Sequence, residues 1–326
     1  MKDFNGKLAV ISGGGSGMGR ELAVQLAGEG CHLALCDLSA EALAETASLC
    51  GTAASIRNGA VTVSTHICDV SNEDAVLAFC DDAQQAHETD HVNLVFSNAG
   101  IGGGGSFVKD EREDWERTFN VCWHGVYYMA RAFVPLLIAA DEGHLINTSS
   151  VNGFWATIGL KTPHTSYSAA KFAVKGFSEA LVTDLRLHAP HVKVSVVMPG
   201  HIGTNIAINS GKAHGQDPMS MPAEDVARLR DLMIERGKPV DNVPDDAIRA
   251  AIKQQGEDFR TKAPTSAAQA AAIILEGVRD ERWRILVGDD AHALDNLVRA
   301  APEDVYEPDF LEQLYVQGHL SWITTR

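Results

Sequence analysis

The chain has 326 residues, 45% hydrophobic and 21% charged, which fits one large globular domain or two small ones and excludes a disordered or fibrous polymer. With 27 Lys plus Arg against 43 Asp plus Glu, the formal charge of -16 sets most of the surface against a nucleic acid backbone or an anionic membrane. A small, uncharged or locally accommodated ligand is the better expectation.

A β-prone run at 7–12 (KLAVIS) leads into Gly13-Gly14-Gly15-Ser16-Gly17-Met18-Gly19, after which Leu22, Ala23, Leu26 and Ala27 recur at helical spacing over 21–29. A second strand at 32–36 ends at Asp37, and Ser39 caps a helix running through Leu49. Strands are predicted at 61–67, 92–96, 143–148 and 192–198, and helices at 74–87, 115–139 and 166–188. This alternation, with crossovers long enough for parallel pairing, predicts a doubly wound α/β sheet. After Pro199 the rhythm breaks: 201–262 holds two helix-like stretches, 224–236 and 245–255, and no evident strand. A helix at 266–279 and a short strand at 284–288 follow, then an extension over 289–326 with Tyr306, Phe310, Tyr315 and Trp322.

The six cysteines, at positions 31, 36, 50, 68, 80 and 122, never form C-x-x-C, so they read as small apolar core residues in a reducing compartment. The amino terminus is too short and too acidic for a secretory apolar region. The longest apolar stretch, 129–140, contains Arg131 and Pro135 and falls short of the roughly 20 residues of a membrane span. A cytoplasmic protein with no membrane or nucleic acid partner is expected.

Glycines after a first strand let the backbone turn sharply and approach a pyrophosphate, whose charge the following helix terminus stabilises. The strict G-x-G-x-x-G pattern is not met, and such a loop alone can be merely a turn. Asp37 strengthens the binding reading, because a carboxylate at the end of the second strand can accept both ribose hydroxyls of an adenosine. Tyr167 and Lys171 stand at i and i+4 on one helix face, where an ammonium is expected to lower a phenol's pKa toward that of a working acid or base. That spacing is common on ordinary helices. Its company here is Ser149-Ser150 and Pro199-Gly200 at the carboxyl ends of strands, the edge where open α/β sheets bind ligands.

Together these motifs resemble the short-chain dehydrogenase/reductases, closely over 4–205 and loosely over 266–288. Ser12-Gly13 through Ser16, Gly17, Met18 and Gly19 resembles the T-G-x-x-x-G-x-G cofactor loop with Ser for Thr. Asp69-Val70 resembles the adenine-contacting pair, and Ser97-Asn98-Ala99-Gly100 the N-N-A-G motif with Ser97 for the first Asn. Asn120, Ser150, Tyr167 and Lys171 match the catalytic tetrad, and Pro199-Gly200 with Ile202 and Thr204 the nicotinamide-side P-G-x-x-x-T. The resemblance implies a single Rossmann-type domain, NAD as cofactor and hydride exchange with a secondary alcohol or ketone. It implies that Tyr167 exchanges the proton, that Ser150 hydrogen-bonds the reacting oxygen and that Lys171 holds the nicotinamide ribose. Asn120 is implied to bend its helix and hold a relay water; Ser149, next to Ser150, is expected to point away as adjacent strand residues do.

An NADPH-dependent carbonyl reductase would carry basic residues where Ser16 and Leu38 stand, and a silent cofactor-binding regulator would show a broken tetrad; neither expectation is met. Ser150 and Tyr167 lie a few positions further apart than is usual in the family, with Lys161-Thr162-Pro163-His164 as the insertion at the pocket rim. The segment 201–262 is expected to be a helical, mobile lid over an apolar pocket. Candidate substrate contacts are Asn152, Phe154, Trp155, His201, Ile206, Met219 and Met221. His124, His164 and His201 lack metal-ligand spacing, so no metal is expected. Association as a homodimer or homotetramer is expected through the two long helices, with Phe172, Phe177 and Leu181 as candidate interface residues.

Overall fold

The computed structural model describes residues 1–56, 60–159, 162–235, 237–310 and 312. In chain order the strands are β1 (Leu8–Ser12), β2 (His32–Asp37), β3 (Val63–Ile67), β4 (Leu94–Ser97), β5 (Gly143–Thr148), β6 (Val192–Pro199), β7 (Ile202–Gly203), β8 (Thr265–Ser266) and β9 (Arg284–Val287). The helices are α1 (Gly17–Gly28), α2 (Ala40–Ser55), α3 (Glu73–His87), α4 (Arg112–Phe119), α5 (Gly125–Ala139), α6 (Thr165–His188), α7 (Ile206–Ala213), α8 (Ala223–Glu235), α9 (Asp245–Thr261), α10 (Ala267–Arg279) and α11 (Asp289–Ala300).

Seven strands form one parallel sheet in the order β3-β2-β1-β4-β5-β6-β9. Alternation along β1 divides its side chains between two cores: Ala9 and Ile11 join α1, α2 and α10, whereas Leu8 and Val10 join α3, α5 and α6. Burial on both faces explains why β1 reads as an almost unbroken apolar run, and why the two buried polar side chains of β5, His144 and Asn147, each hydrogen-bond a buried serine, Ser195 and Ser178. The order reverses between β1 and β4, which places the expected ligand crevice at their carboxyl ends.

Three features differ from the sequence expectation. The long helix begins at Arg112 and carries a π-helical turn, Asn120–His124, between α4 and α5. By length and composition the run Arg112–Ala139 is apolar enough to cross a membrane, yet Met129, Phe133 and Leu137 are fully buried in the core. Within 201–262 there is a strand after all: β7 pairs with β8 through Ile202↔Thr265 and Gly203↔Ser266, a pairing too short to leave an alternation signal. The helix α7, with Asn209, Ser210 and Gly211, has too little helix propensity to be read from pattern, and α9 runs on to Thr261.

The insertion has a small core of its own, Met221, Val226 and Ile248, flanked by Leu229, Met233 and Ile252. Its first helix is fastened to the body. Ser210 Oγ accepts the Gly102 N–H (2.7 Å), Arg117 donates to Ala213 O (3.1 Å), and the His214 ring bridges Asp114 Oδ1 (2.9 Å) and Gly102 O (3.0 Å). Of the carboxyl-terminal extension, Val305 and Phe310 close a third core with Val151, Trp155, Ala291 and Leu294. Tyr315 and Trp322 lie outside the described residues, as do Lys161 and Arg236.

Candidate active site

β1 and β4 are joined at their carboxyl ends by one hydroxyl. Ser12 Oγ accepts the N–H groups of Asn98 (3.0 Å) and Ala99 (3.1 Å), and Asn98 Nδ2 donates back to Ser12 O (3.1 Å). The glycine loop lies against this knot. Gly13 has φ +68°, and a Cβ there would stand 3.0 Å from Ala99 Cα; a Cβ on Gly19 would stand 2.1 Å from Gly13 O. Ser16 precedes α1 without a side-chain cap, so the first-turn N–H groups and the helix dipole face the loop ready for an anion. Met18 packs partly against the core, and Gly17 abuts Thr204.

At the tip of β2 the Asp37 carboxylate accepts the N–H groups of Gly15 (3.0 Å) and Ser39 (3.2 Å) and stays half-buried at the crevice. Leu38 beside it is 66% exposed. The neighbouring cation, Arg20, donates to Gly15 O and to Glu45 Oε2, both at 2.7 Å, so its charge is already answered. Asp69 accepts from both the N–H and the hydroxyl of Ser71, and Val70 is buried where a Cβ on Gly125 would touch it. This run of close-approach glycines, an open helix terminus and a carboxylate at the strand tip fits a dinucleotide.

On α6, Tyr167 and Lys171 face the carboxyl end of β5. Lys171 Nζ is buried, donates to Thr148 O (2.8 Å) and lies 5.4 Å from the Tyr167 ring centre; a Cβ on Gly100 would lie 3.6 Å from it. Ser149 donates to Lys171 O (2.7 Å) and so braces the helix. Ser150 Oγ accepts the Asn152 N–H (3.1 Å) and stands by the Tyr167 phenol, where it favours the ionised form. The expected lowering of the Tyr167 pKa is not what this arrangement produces. Burial pushes the phenol well up, the nearby Cys122 adds to the rise, and only Ser150 pulls it down. Burial likewise pushes Lys171 down, against Cys122. Asn120 opens the π-helical turn, and its Oδ1 meets His124 Nδ1 at 2.9 Å.

The opposite rim is built from β6 and the carboxyl-terminal extension. Asp290 Oδ2 accepts the His201 N–H (2.7 Å), its Oδ1 accepts the Ala291 N–H (3.0 Å), and a Cβ on Gly200 would fall 2.3 Å from that carboxylate. Burial raises the Asp290 pKa against these hydrogen bonds. Asp290 is a site-building residue that sequence reasoning missed. Its signal was an acidic pair after Gly288 at a helix start, which reads only as dipole complementarity until the fold brings it to Gly200.

Several candidate substrate contacts also have structural partners within the chain. Trp155 is wholly buried, and its Nε1 donates to Val305 O (2.9 Å), so it anchors the carboxyl-terminal extension instead of walling the cleft. Asn152 Nδ2 donates to the carbonyls of Trp155 and Thr157, both at 2.9 Å, and Phe154 lies under the Arg284 guanidinium at 5.6 Å. His201 Nε2 donates to Phe259 O (2.7 Å). Ile202 is buried in the main core and Met221 in that of the insertion, whereas Ile206 is half-buried and Met219 58% exposed. Among the described residues no group of three or more His, Cys, Asp or Glu is placed to hold a metal ion.

Residues 7–215 match the family described as short chain dehydrogenase. A Mycobacterium tuberculosis protein named as an oxidoreductase, SadH, is 36% identical over 299 residues, 92% of each chain. Epidermal retinol dehydrogenase 2 of Mus musculus is 34% identical over 63% of each chain. Among solved structures, a short-chain dehydrogenase/reductase from Burkholderia phymatum in complex with NAD superposes with a TM-score of 0.71 at 31% identity, covering 94% of this chain and 96% of that one. A metagenomic short-chain oxidoreductase in complex with NADP gives a TM-score of 0.53 at 30% identity, covering 60% and 83%. By fold, motif order and these likenesses, the chain belongs to the short-chain dehydrogenase/reductase family of oxidoreductases.

Proposed function

We propose that the protein interconverts a secondary alcohol and its ketone with NAD(H), and that Tyr167 is the general acid and base. The observation that carries this reading is the convergence of Ser150, Tyr167 and Lys171 at the carboxyl end of β5, beside the glycine loop and Gly100. When bound, a nicotinamide cofactor would supply or accept the hydride. In the reductive direction Tyr167 donates its proton to the carbonyl oxygen, and Ser150 hydrogen-bonds that oxygen as negative charge develops. A phenol pushed up by burial holds its proton until the oxygen needs it. In the oxidative direction the Lys171 ammonium over the ring stabilises the phenolate that accepts the alcohol proton. Asn120 stands at the π-helical turn as the outward end of the proton route.

The cofactor would lie across Gly13 to Gly19, with its adenosine ribose at Asp37, its adenine beside Leu38, Asp69 and Val70, and its nicotinamide between Asn98-Ala99-Gly100 and Pro199-Gly200 to Thr204. NAD in preference to NADP is supported by Asp37, whose carboxylate would repel a 2′-phosphate, and by the pairing of Arg20 with Glu45. An apolar substrate is supported by Ile206 and Met219 on the insertion, which we read as a cover hinged beyond its fastened first helix. Six buried free cysteines suit a reducing cytoplasm.

The test is NADH formation from NAD with a panel of secondary alcohols, alicyclic and steroidal, by the wild type and by Tyr167→Phe and Lys171→Met. Each substitution should cost at least about a hundredfold in turnover with the fold retained. Near-wild-type turnover by folded Tyr167→Phe would overturn the mechanism.

A further inference from the structure

His164 occupies the position before the first turn of α6, where a side chain ordinarily caps the helix, and it makes no cap. Its ring packs on Tyr167 with centres 4.7 Å apart and planes at 38°. The imidazole hydrogen-bonds no other described residue, although it is half-buried. His164, Tyr167 and Lys171 fall at i, i+3 and i+7, so they form one column down the same helix face. Lys171 closes the inner end of that column against Thr148 and Gly100. His164 stands at the outer end of that column, one turn before Tyr167.

Resting on the reading that Tyr167 protonates the reacting oxygen, we infer that His164 recognises the substrate by hydrogen-bonding a second oxygen on a carbon adjacent to the reacting one. The substrate class is thus a vicinal hydroxyketone or diketone, with its diol or ketol counterpart, carried on an apolar body. The packing distance supports a nearby oxygen, since an imidazole in contact with the phenol ring can reach a group of the same substrate that the phenol holds. Burial pushes the His164 pKa down to about 4, so the ring is neutral at physiological pH and one nitrogen donates while the other accepts. It can therefore serve either a keto or a hydroxyl oxygen.

The test compares cyclohexanone, 2-hydroxycyclohexanone and 4-hydroxycyclohexanone as substrates with NADH, reading the ratio of kcat/KM between ketones within each protein. One neutral hydrogen bond made in the pocket should give wild type about a tenfold preference for the 2-hydroxy over the unsubstituted ketone, and none for the 4-hydroxy. His164→Phe keeps a ring on Tyr167 and should bring the ratio to about one, whereas His164→Gln, which retains a donor and an acceptor, should restore part of it. Calorimetric binding of the same ketones to the NADH-loaded protein reads the same ratio without turnover, so a failed proton-transfer reading and a failed recognition reading separate. A wild type that does not distinguish the 2-hydroxy ketone in binding, or a preference that survives in His164→Phe, overturns the proposal.

Discussion

Replacing Asp290 by alanine should loosen the cofactor-side rim while leaving the sheet intact. The carboxylate accepts the buried His201 N–H at 2.7 Å and the Ala291 N–H of the first turn of α11 at 3.0 Å. An unanswered buried N–H costs roughly 1–3 kcal/mol, and losing an anion at a helix start about 0.5–1 kcal/mol. Relief of the buried charge, visible in the raised Asp290 pKa, offsets part of this and leaves about 2–3 kcal/mol. At roughly 2 °C per kcal/mol for a domain of this size, the melting temperature should fall by about 4–6 °C. Asn keeps one acceptor and sheds the charge, so Asp290→Asn should lose less. Because the released loop runs from Pro199 to Thr204, which abuts Gly17, the KM for NAD should rise more than kcat falls. Thermal denaturation and steady-state kinetics measure both effects. Melting within about 1 °C of wild type, with an unchanged KM, would refute the view that this carboxylate holds the loop.

The remaining predictions concern the ribose end, acid stability and assembly. Asp37→Ala should weaken NAD and narrow the gap between NAD and NADP in kcat/KM; an unchanged ratio would remove Asp37 from cofactor choice. His144 is buried, with Nε2 donating to Ser195 Oγ (2.7 Å) and Nδ1 facing no described partner, so burial pushes its pKa down to about 3. Its folded value lies below the unfolded value near 6.5, so its contribution is complete above that pH and is lost as pH falls toward 3, costing about 2 kcal/mol by pH 5. Denaturation at pH 7 and 5 should show this loss in wild type and a flatter slope in His144→Asn. Phe172 is 42% exposed on α6, beside half-buried Phe177 and Leu181, so wild type should scatter as a dimer or tetramer and Phe172→Arg should shift toward monomer; a monomeric wild type would refute this.

The sheet was legible because its central strands are buried on both faces and spell largely apolar runs, as in Leu8 to Ser12 and Leu94 to Ser97. The cleft residues were legible where chemistry demands a residue type at a fixed spacing, as with Tyr167 and Lys171 on successive turns. What stayed hidden depends on contacts distant in sequence. Trp155 reads equally well as a pocket wall or a core anchor until the Val305 carbonyl is found accepting from its indole N–H. The same holds for His201, whose partners Phe259 and Asp290 lie 58 and 89 positions away. The direction of the Tyr167 shift escaped for another reason: charge proximity can be read from helix spacing, whereas desolvation is a property of everything packed around the phenol.

Asp290 grips the loop after β6, and Val305 holds the indole that follows Ser150, so the last described stretch of the chain supports both jaws of the cleft. On the ribosome the nucleotide half emerges first and can fold while these supports are still unmade. A nascent chain arrested before Gly288 would then hold a formed glycine loop opposite an unbraced rim, able to meet the adenosine end of a cofactor before it can close on the nicotinamide end. Competence for turnover would arrive late in synthesis, with α11.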